Sequence, residues 1–153
     1  PENLTDEDVK SLLSHYAEYY DYIFVDSPAG VGELPEIYAK CSDTCIIVAT
    51  ADEISARSAL ITGNKLIKLG TKEENLRLVI NRFDKNAVKK GKLLNIDEII
   101  DKTYIRLLGI VPEEKNLMYA SVTEKRISQY SDAKIAFSNI AGRILGKEIE
   151  LYL

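Results

Sequence analysis

Four short apolar runs, separated by amphipathic stretches, constrain this chain more than any other feature. Residues 22–26 (YIFVD), 45–50 (CIIVAT), 76–81 (LRLVIN) and 107–111 (LLGIV) are rich in β-branched and aromatic side chains. Runs of this length, bounded by turn residues, read as strands buried on both faces. The stretches around them carry apolar residues at helical spacing. Thr5 followed by Asp8 is a helix-start pattern, and Val9, Leu12, Leu13, Tyr16 and Tyr20 form one buried stripe behind it. A second helix is predicted over about 55–69, ended by Gly70, and a third from Asn95 and Glu98 through Thr103. A last helix runs from about 131 to 145, with Ile135, Ala136, Ile140, Ile144 and Leu145 on its apolar side. The lysine-rich stretch 83–92 reads as a loop.

Apolar strands alternating with helices require βαβ crossovers, because parallel neighbours need a connection long enough to return. The predicted class is α/β, a parallel sheet with helices on both faces. No linker or repeat interrupts residues 1–153, which read as a portion of one domain without an internal boundary.

Charge and cysteine usage narrow the function. Twenty Lys and Arg against 24 Asp and Glu leave a net charge of −4, which argues against a nucleic-acid surface as the main role. No apolar run approaches the roughly 20 residues that span a bilayer, so no membrane helix is expected. Cys41 and Cys45 fit a reducing cytoplasm. Their C-x-x-x-C spacing has no second pair, and His15 is the only histidine, so they read as core thiols rather than zinc ligands.

Ligands of an open parallel sheet gather outside the carboxyl ends of its strands. The first run delivers Asp26, Ser27, Pro28, Ala29 and Gly30 there. An acid in that position holds magnesium, directly or through water, or else caps the following turn; spacing alone leaves both readings open. The third run ends in Asn81 and Arg82, where an amide offers a donor and an acceptor to a purine or simply makes a turn. The fourth ends in Pro112, Glu113 and Glu114, a base-pocket wall or a plain strand-ending turn. No G-x-x-x-x-G-K-[ST] phosphate loop occurs in the 153 residues.

Taken together, residues 22–30 (YIFVDSPAG), 79–83 (VINRF) with 88–91 (VKKG), and 107–114 (LLGIVPEE) resemble the MinD-like ATPases of the ParA/MinD, or deviant P-loop, family. The likeness runs from about residue 20 to 149. Serine stands at 58 where that family usually has an acid, and 121–127 (SVTEKRI) replaces its N-x-G-E-P-V stretch. The resemblance implies an incomplete P-loop NTPase fold. It further implies an ATP-binding, ATP-hydrolysing switch that positions the division septum or another cargo, with ATP and Mg2+ as cofactors. Asp26 would be the catalytic acid, holding the metal through water, with Ser27, Pro28, Ala29 and Gly30 as a switch loop. Asn81 and Arg82 would contact the adenine, walled by Pro112, Glu113 and Glu114. The implied partners are a second copy, in an ATP-dependent homodimer, and a protein of the division or positioning machinery. The family's phosphate loop is expected before Pro1, so this chain alone is expected to be inactive. The expected location is cytoplasmic, with a peripheral place at the inner membrane face open to the parent. Two other readings stand beside this one: a non-catalytic binding or scaffold module of the same fold, and another ParA-class partition or flagellar-number ATPase.

Overall fold

The computed structural model describes residues 5–28, 32–114 and 131–151. Its sheet has three parallel strands in the order β1-β2-β3: β1 (Cys45–Ala49), β2 (Leu76–Phe83) and β3 (Leu107–Pro112). α1 (Asp6–Ala17) and α2 (Glu33–Lys40) precede β1. α3 (Glu53–Lys68) and a 3-10 turn (Glu73–Asn75) lead from β1 to β2. α4 (Lys85–Lys89) and α5 (Ile96–Thr103) lead from β2 to β3, and α6 (Asp132–Ile144) comes last.

Side chains alternate across the sheet, so each strand feeds two layers. On one face Ile47, Ala49, Leu78 and Ile80 pack with Ala59 and Leu66 of α3 and Ile99 of α5. Leu76, Leu78, Ile80 and Ile99 are fully buried, each stabilising the fold by about 1.5–3 kcal/mol relative to exposure. On the other face Val79, Leu108 and Val111 pack with Ala133 and Ile140 of α6. Gly109 permits that contact, because a Cβ there would run into the Ile140 side chain. Helices on both faces of a parallel sheet match the predicted class.

Local chemistry sets the helix starts. Asn95 and Glu98 cap α5 reciprocally, each side chain accepting the other's backbone N–H at 2.9 and 2.8 Å. α3 begins at Asp52, whose carboxylate accepts from the Thr50 hydroxyl and from Ser55 N–H. These bonds, the Thr50 hydroxyl foremost, hold the Asp52 carboxyl below the usual carboxylate range. At the far end of α6, Arg143 donates to the carbonyls of Leu108 (2.9 Å), Ile149 (3.0 Å) and Glu150 (2.7 Å), which ties the C-terminal tail to β3.

Four expectations need correction. Residues 22–26 are not a buried strand: they are exposed, Phe24 to 77%, and 22–28 make no backbone–backbone hydrogen bond among the described residues. Composition makes such a run able to pair, but only a neighbouring backbone makes it a strand, and β1 is paired to β2 alone. Of the stripe on α1 only Val9 is buried, and the helix packs against α2, with Lys40 paired to Asp6 at 3.1 Å. Stretch 83–92 is not all loop, since Phe83 closes β2 and Asp84 caps α4 by accepting from Asn86 and Ala87 N–H. On α6 the buried side is Ala133, Ala136 and Ile140, with Ile135, Ile144 and Leu145 turned outward.

Candidate functional site

Of the residues expected at the carboxyl edge of β2 and β3, Asn81, Arg82, Pro112 and Glu113 meet there. Pairing between the strands shifts register between Ile80 and Phe83, and the irregularity contains Asn81 and Arg82. Bulges re-aim side chains at strand ends. Arg82 has φ 54°, a left-handed backbone uncommon for a non-glycine residue. The Asn81 side-chain oxygen accepts the Arg82 N–H at 3.0 Å, a local bond that favours the unusual turn. Arg82 Nε then donates to Glu113 Oε2 at 2.8 Å, and Glu113 N–H donates to the Phe83 carbonyl at 3.0 Å. Pro112 stands opposite Phe83 in register. Asn81, Arg82, Pro112 and Glu113 therefore form one cluster around the end of β2.

Glu114 faces another way. Its carboxylate accepts from the Ser131 hydroxyl at 2.6 Å and from Ala133 N–H at 3.2 Å, at the positive end of α6. Ser131 is buried and in turn accepts from Lys134 N–H at 3.3 Å. One carboxylate thus joins the end of β3 to the start of α6. The pattern was readable only in part: Ser131 has helix-capping chemistry, but nothing in the sequence pairs it with an acid 17 residues earlier.

Asp26 lies on the exposed stretch 22–28, where the Ser27 hydroxyl donates to the Pro28 carbonyl at 3.5 Å. Ala29 and Gly30 lie outside the described residues, as does 121–127. Among the described residues no hydrogen bond or ion pair joins Asp26 to the cluster at Asn81 and Glu113. Nor do three or more His, Cys, Asp or Glu side chains gather there in a metal-holding group. Asp26 has the hard oxygen that magnesium takes, yet the described residues do not by themselves build the ion's site.

Asp52 is the polar end that follows β1, and an acid three residues before Ser55 carries the signal of a helix cap. A hollow of about 370 Å³ beside it is lined by Glu53, Lys92, Leu94, Asn95 and Glu98. The larger hollow, about 790 Å³, is at the opposite end of the sheet near Leu76, Tyr104 and Arg106. Volume therefore does not mark the polar edge. Burial pushes the half-buried Cys45 thiol up, which suits an inert core cysteine, and Cys41 is also a free thiol. No helix among the described residues is long and apolar enough to cross a membrane.

A three-stranded parallel sheet between helical layers, with its polar residues collected at the carboxyl edge, is a portion of the MinD/ParA type of P-loop NTPase fold. The chain's homologues are the septum site-determining proteins called MinD. MinD of Bacillus subtilis is 33% identical over 150 residues, which are 95% of this chain and 54% of that protein. In the MinC:MinD cell division protein complex of Aquifex aeolicus the similar chain is 27% identical with a TM-score of 0.89, over 98% of this chain and 63% of that one. MinD of Pyrococcus horikoshii, solved with Mg-ADP, is 17% identical with a TM-score of 0.75, over 92% of this chain and 56% of that one, and shows the fold alone. The chain spans about half the length of the curated relatives it matches. No protein-family model matches it.

Proposed function

We propose that this chain is part of one P-loop NTPase domain, the base-binding and switch-bearing portion of a MinD-type ATPase that helps to place the division septum. The observation carrying the proposal is the cluster at the end of β2, where a bulge, a left-handed Arg82 and the Arg82–Glu113 ion pair meet at the edge that binds ligands in such sheets. Asn81 has its oxygen engaged by Arg82 N–H, which leaves its NH2 to donate to a ring nitrogen of adenine. Pro112 and Glu113 wall the base, and Glu114 braces the wall against α6. Asp26 with Ser27, Pro28, Ala29 and Gly30 forms the switch segment that answers to the nucleotide. Magnesium, when bound, would neutralise phosphate charge. The partners that fit are a second copy, across bound ATP, and a protein of the division machinery, as MinD of Aquifex aeolicus has in MinC.

The test is a chimera in which this chain replaces the matching part of Bacillus subtilis MinD. It should bind Mg-ATP and hydrolyse it, and Asp26→Ala should lower kcat far more than it raises KM. A folded chimera that does not bind Mg-ATP would refute the proposal. Turnover unchanged by Asp26→Ala would remove the role of that residue alone.

A further inference from the structure

Arg82 and Tyr104 are the two non-glycine residues with positive φ among the described residues. Arg82 belongs to the cluster at the end of β2. Tyr104, at φ 56°, ends α5 beside the larger hollow, at the amino end of the strands. Helices close most readily on glycine or asparagine in that conformation, and a bulky residue there costs about 1 kcal/mol or more. The cost secures no packing in return. Tyr104 is 76% exposed, and its hydroxyl has no hydrogen-bond partner among the described residues. Backbone strain that packing does not explain gathers at sites that bind something.

The hollow beside Tyr104, about 790 Å³, falls within the roughly 300–1,000 Å³ of small-molecule sites. Its apolar lining is Leu60 and Ile67 of α3, Leu76 at the start of β2 and Ile105 between α5 and β3. Two connections bring charge to this lining: Glu73 and Glu74 from the 3-10 turn, and Arg106 just before β3. Glu74 has Lys72 at 3.8 Å. Glu73 and Arg106 are opposite in charge and line one hollow, yet they are too far apart to pair. Neither side chain has any other ionic partner among the described residues. The Arg106 carbonyl accepts the Leu78 N–H at 2.9 Å, which fixes this backbone in the sheet and leaves the guanidinium unengaged.

We infer that this hollow binds a small zwitterion with an apolar body, of the class of a free apolar dipeptide. Its ammonium meets Glu73, its carboxylate meets Arg106, and its side chains lie on the apolar lining and against the Tyr104 ring. A guanidinium presents a planar fork that matches a carboxylate. A ligand of one sign would leave one pole unanswered, and a wholly polar ligand would leave the apolar lining in water. The separation of the poles selects between zwitterions. An amino acid carries both charges on one carbon, whereas a dipeptide sets them a peptide unit apart.

The test uses the Bacillus subtilis chimera, in which the whole lining, from residues 60–76 and 103–106, comes from this chain. Titrated with the dipeptide Leu-Phe, its amide NMR resonances at 60–67 and 103–106 should shift with a Kd below about 1 mM. N-acetyl-Leu-Phe lacks the ammonium and Leu-Phe amide lacks the carboxylate. Each should bind about threefold or more weakly than the free dipeptide, the size of an exposed ion pair. Glu73→Gln should remove the penalty of acetylation, and Arg106→Gln that of amidation. Both side chains are exposed and without ionic partners, so neither change endangers the fold. Four results would overturn the inference. One is a folded chimera with no shift at these residues in about 10 mM Leu-Phe. The second is capped peptides that bind as tightly as the free one, which would identify a protein segment as the occupant. The third is Gly-Gly binding as tightly as Leu-Phe, and the fourth is variants that respond to the caps as the parent does. Mg-ATP takes no part in the titration, so this site and the nucleotide reading stand or fall separately.

Discussion

Arg82 reaches Glu113 across the carboxyl edge of the sheet, Nε to Oε2 at 2.8 Å, from a backbone conformation that glycine would hold more easily. The pair is solvent-facing, with the Arg82 side chain 70% exposed, so its contribution to stability is small, about 0–1 kcal/mol. The left-handed backbone costs about 1 kcal/mol or more for a residue with a Cβ. Stability therefore gives no reason for arginine at this position.

Arg82→Gly should accordingly leave the chain as stable as the parent sequence or slightly more so, within about 1 kcal/mol by urea denaturation. In the Bacillus subtilis chimera the same change should raise KM for ATP. A clear loss of stability with KM unchanged would mean that Arg82 holds the strand end together and reads no ligand.

Glu114→Ala should cost about 1–3 kcal/mol, because it strips a partner from the buried Ser131 hydroxyl and from the first turn of α6. Ser131→Ala should cost about 0.5–2 kcal/mol as a lost cap. The two losses should not add in the double variant, since both act on one bonded unit. Additive losses would show that the 2.6 Å contact contributes nothing.

Gly109→Ala should destabilise by about 1–3 kcal/mol, as its Cβ meets the buried Ile140 side chain. Adding Ile140→Val should recover part of the loss, read as a return of the thermal midpoint. No recovery would place the strain in the backbone of β3.

Asp52 carries a pH signature. Its folded pKa lies below the unfolded value of about 3.9, so its stabilisation is present above that value and fades as pH falls through the folded pKa. Asp52→Asn keeps an oxygen for the Ser55 N–H but no charge, so the loss of stability on acidification below pH 4 should be shallower in the variant. Parallel urea midpoints at pH 7 and pH 3 would contradict this if both proteins fell equally.

What could be read from the sequence divides by the range of the forces involved. β2 and β3, α3, α5 and the span of α6 were legible because apolar periodicity and caps such as Asn95 with Glu98 act within a few residues. The cluster at Asn81, Arg82 and Glu113 was legible because strand ends fix where polar residues land. Residues 22–26 were not, since they are a short apolar run like 45–50 and only a neighbour distinguishes strand from coil. α2 was hidden by Gly32 and Pro35, although Pro35 sits in the first turn, where no intrahelical N–H bond is lost. α4 was hidden by its lysines, which solvate a short helix as readily as a loop.

The order β1-β2-β3 also has a kinetic meaning. Every crossover links strands consecutive in the chain, so the contacts that build this sheet are close in sequence and cheap in loop-closure entropy. Such a unit assembles early, with no need to wait for distant chain. Residues 22–26 differ, because they lie exposed ahead of β1 and make no backbone–backbone hydrogen bond among the described residues. Apolar surface such as Phe24 and Val48 stays open on this early unit, and a chaperone guarding the protein would have those side chains to recognise.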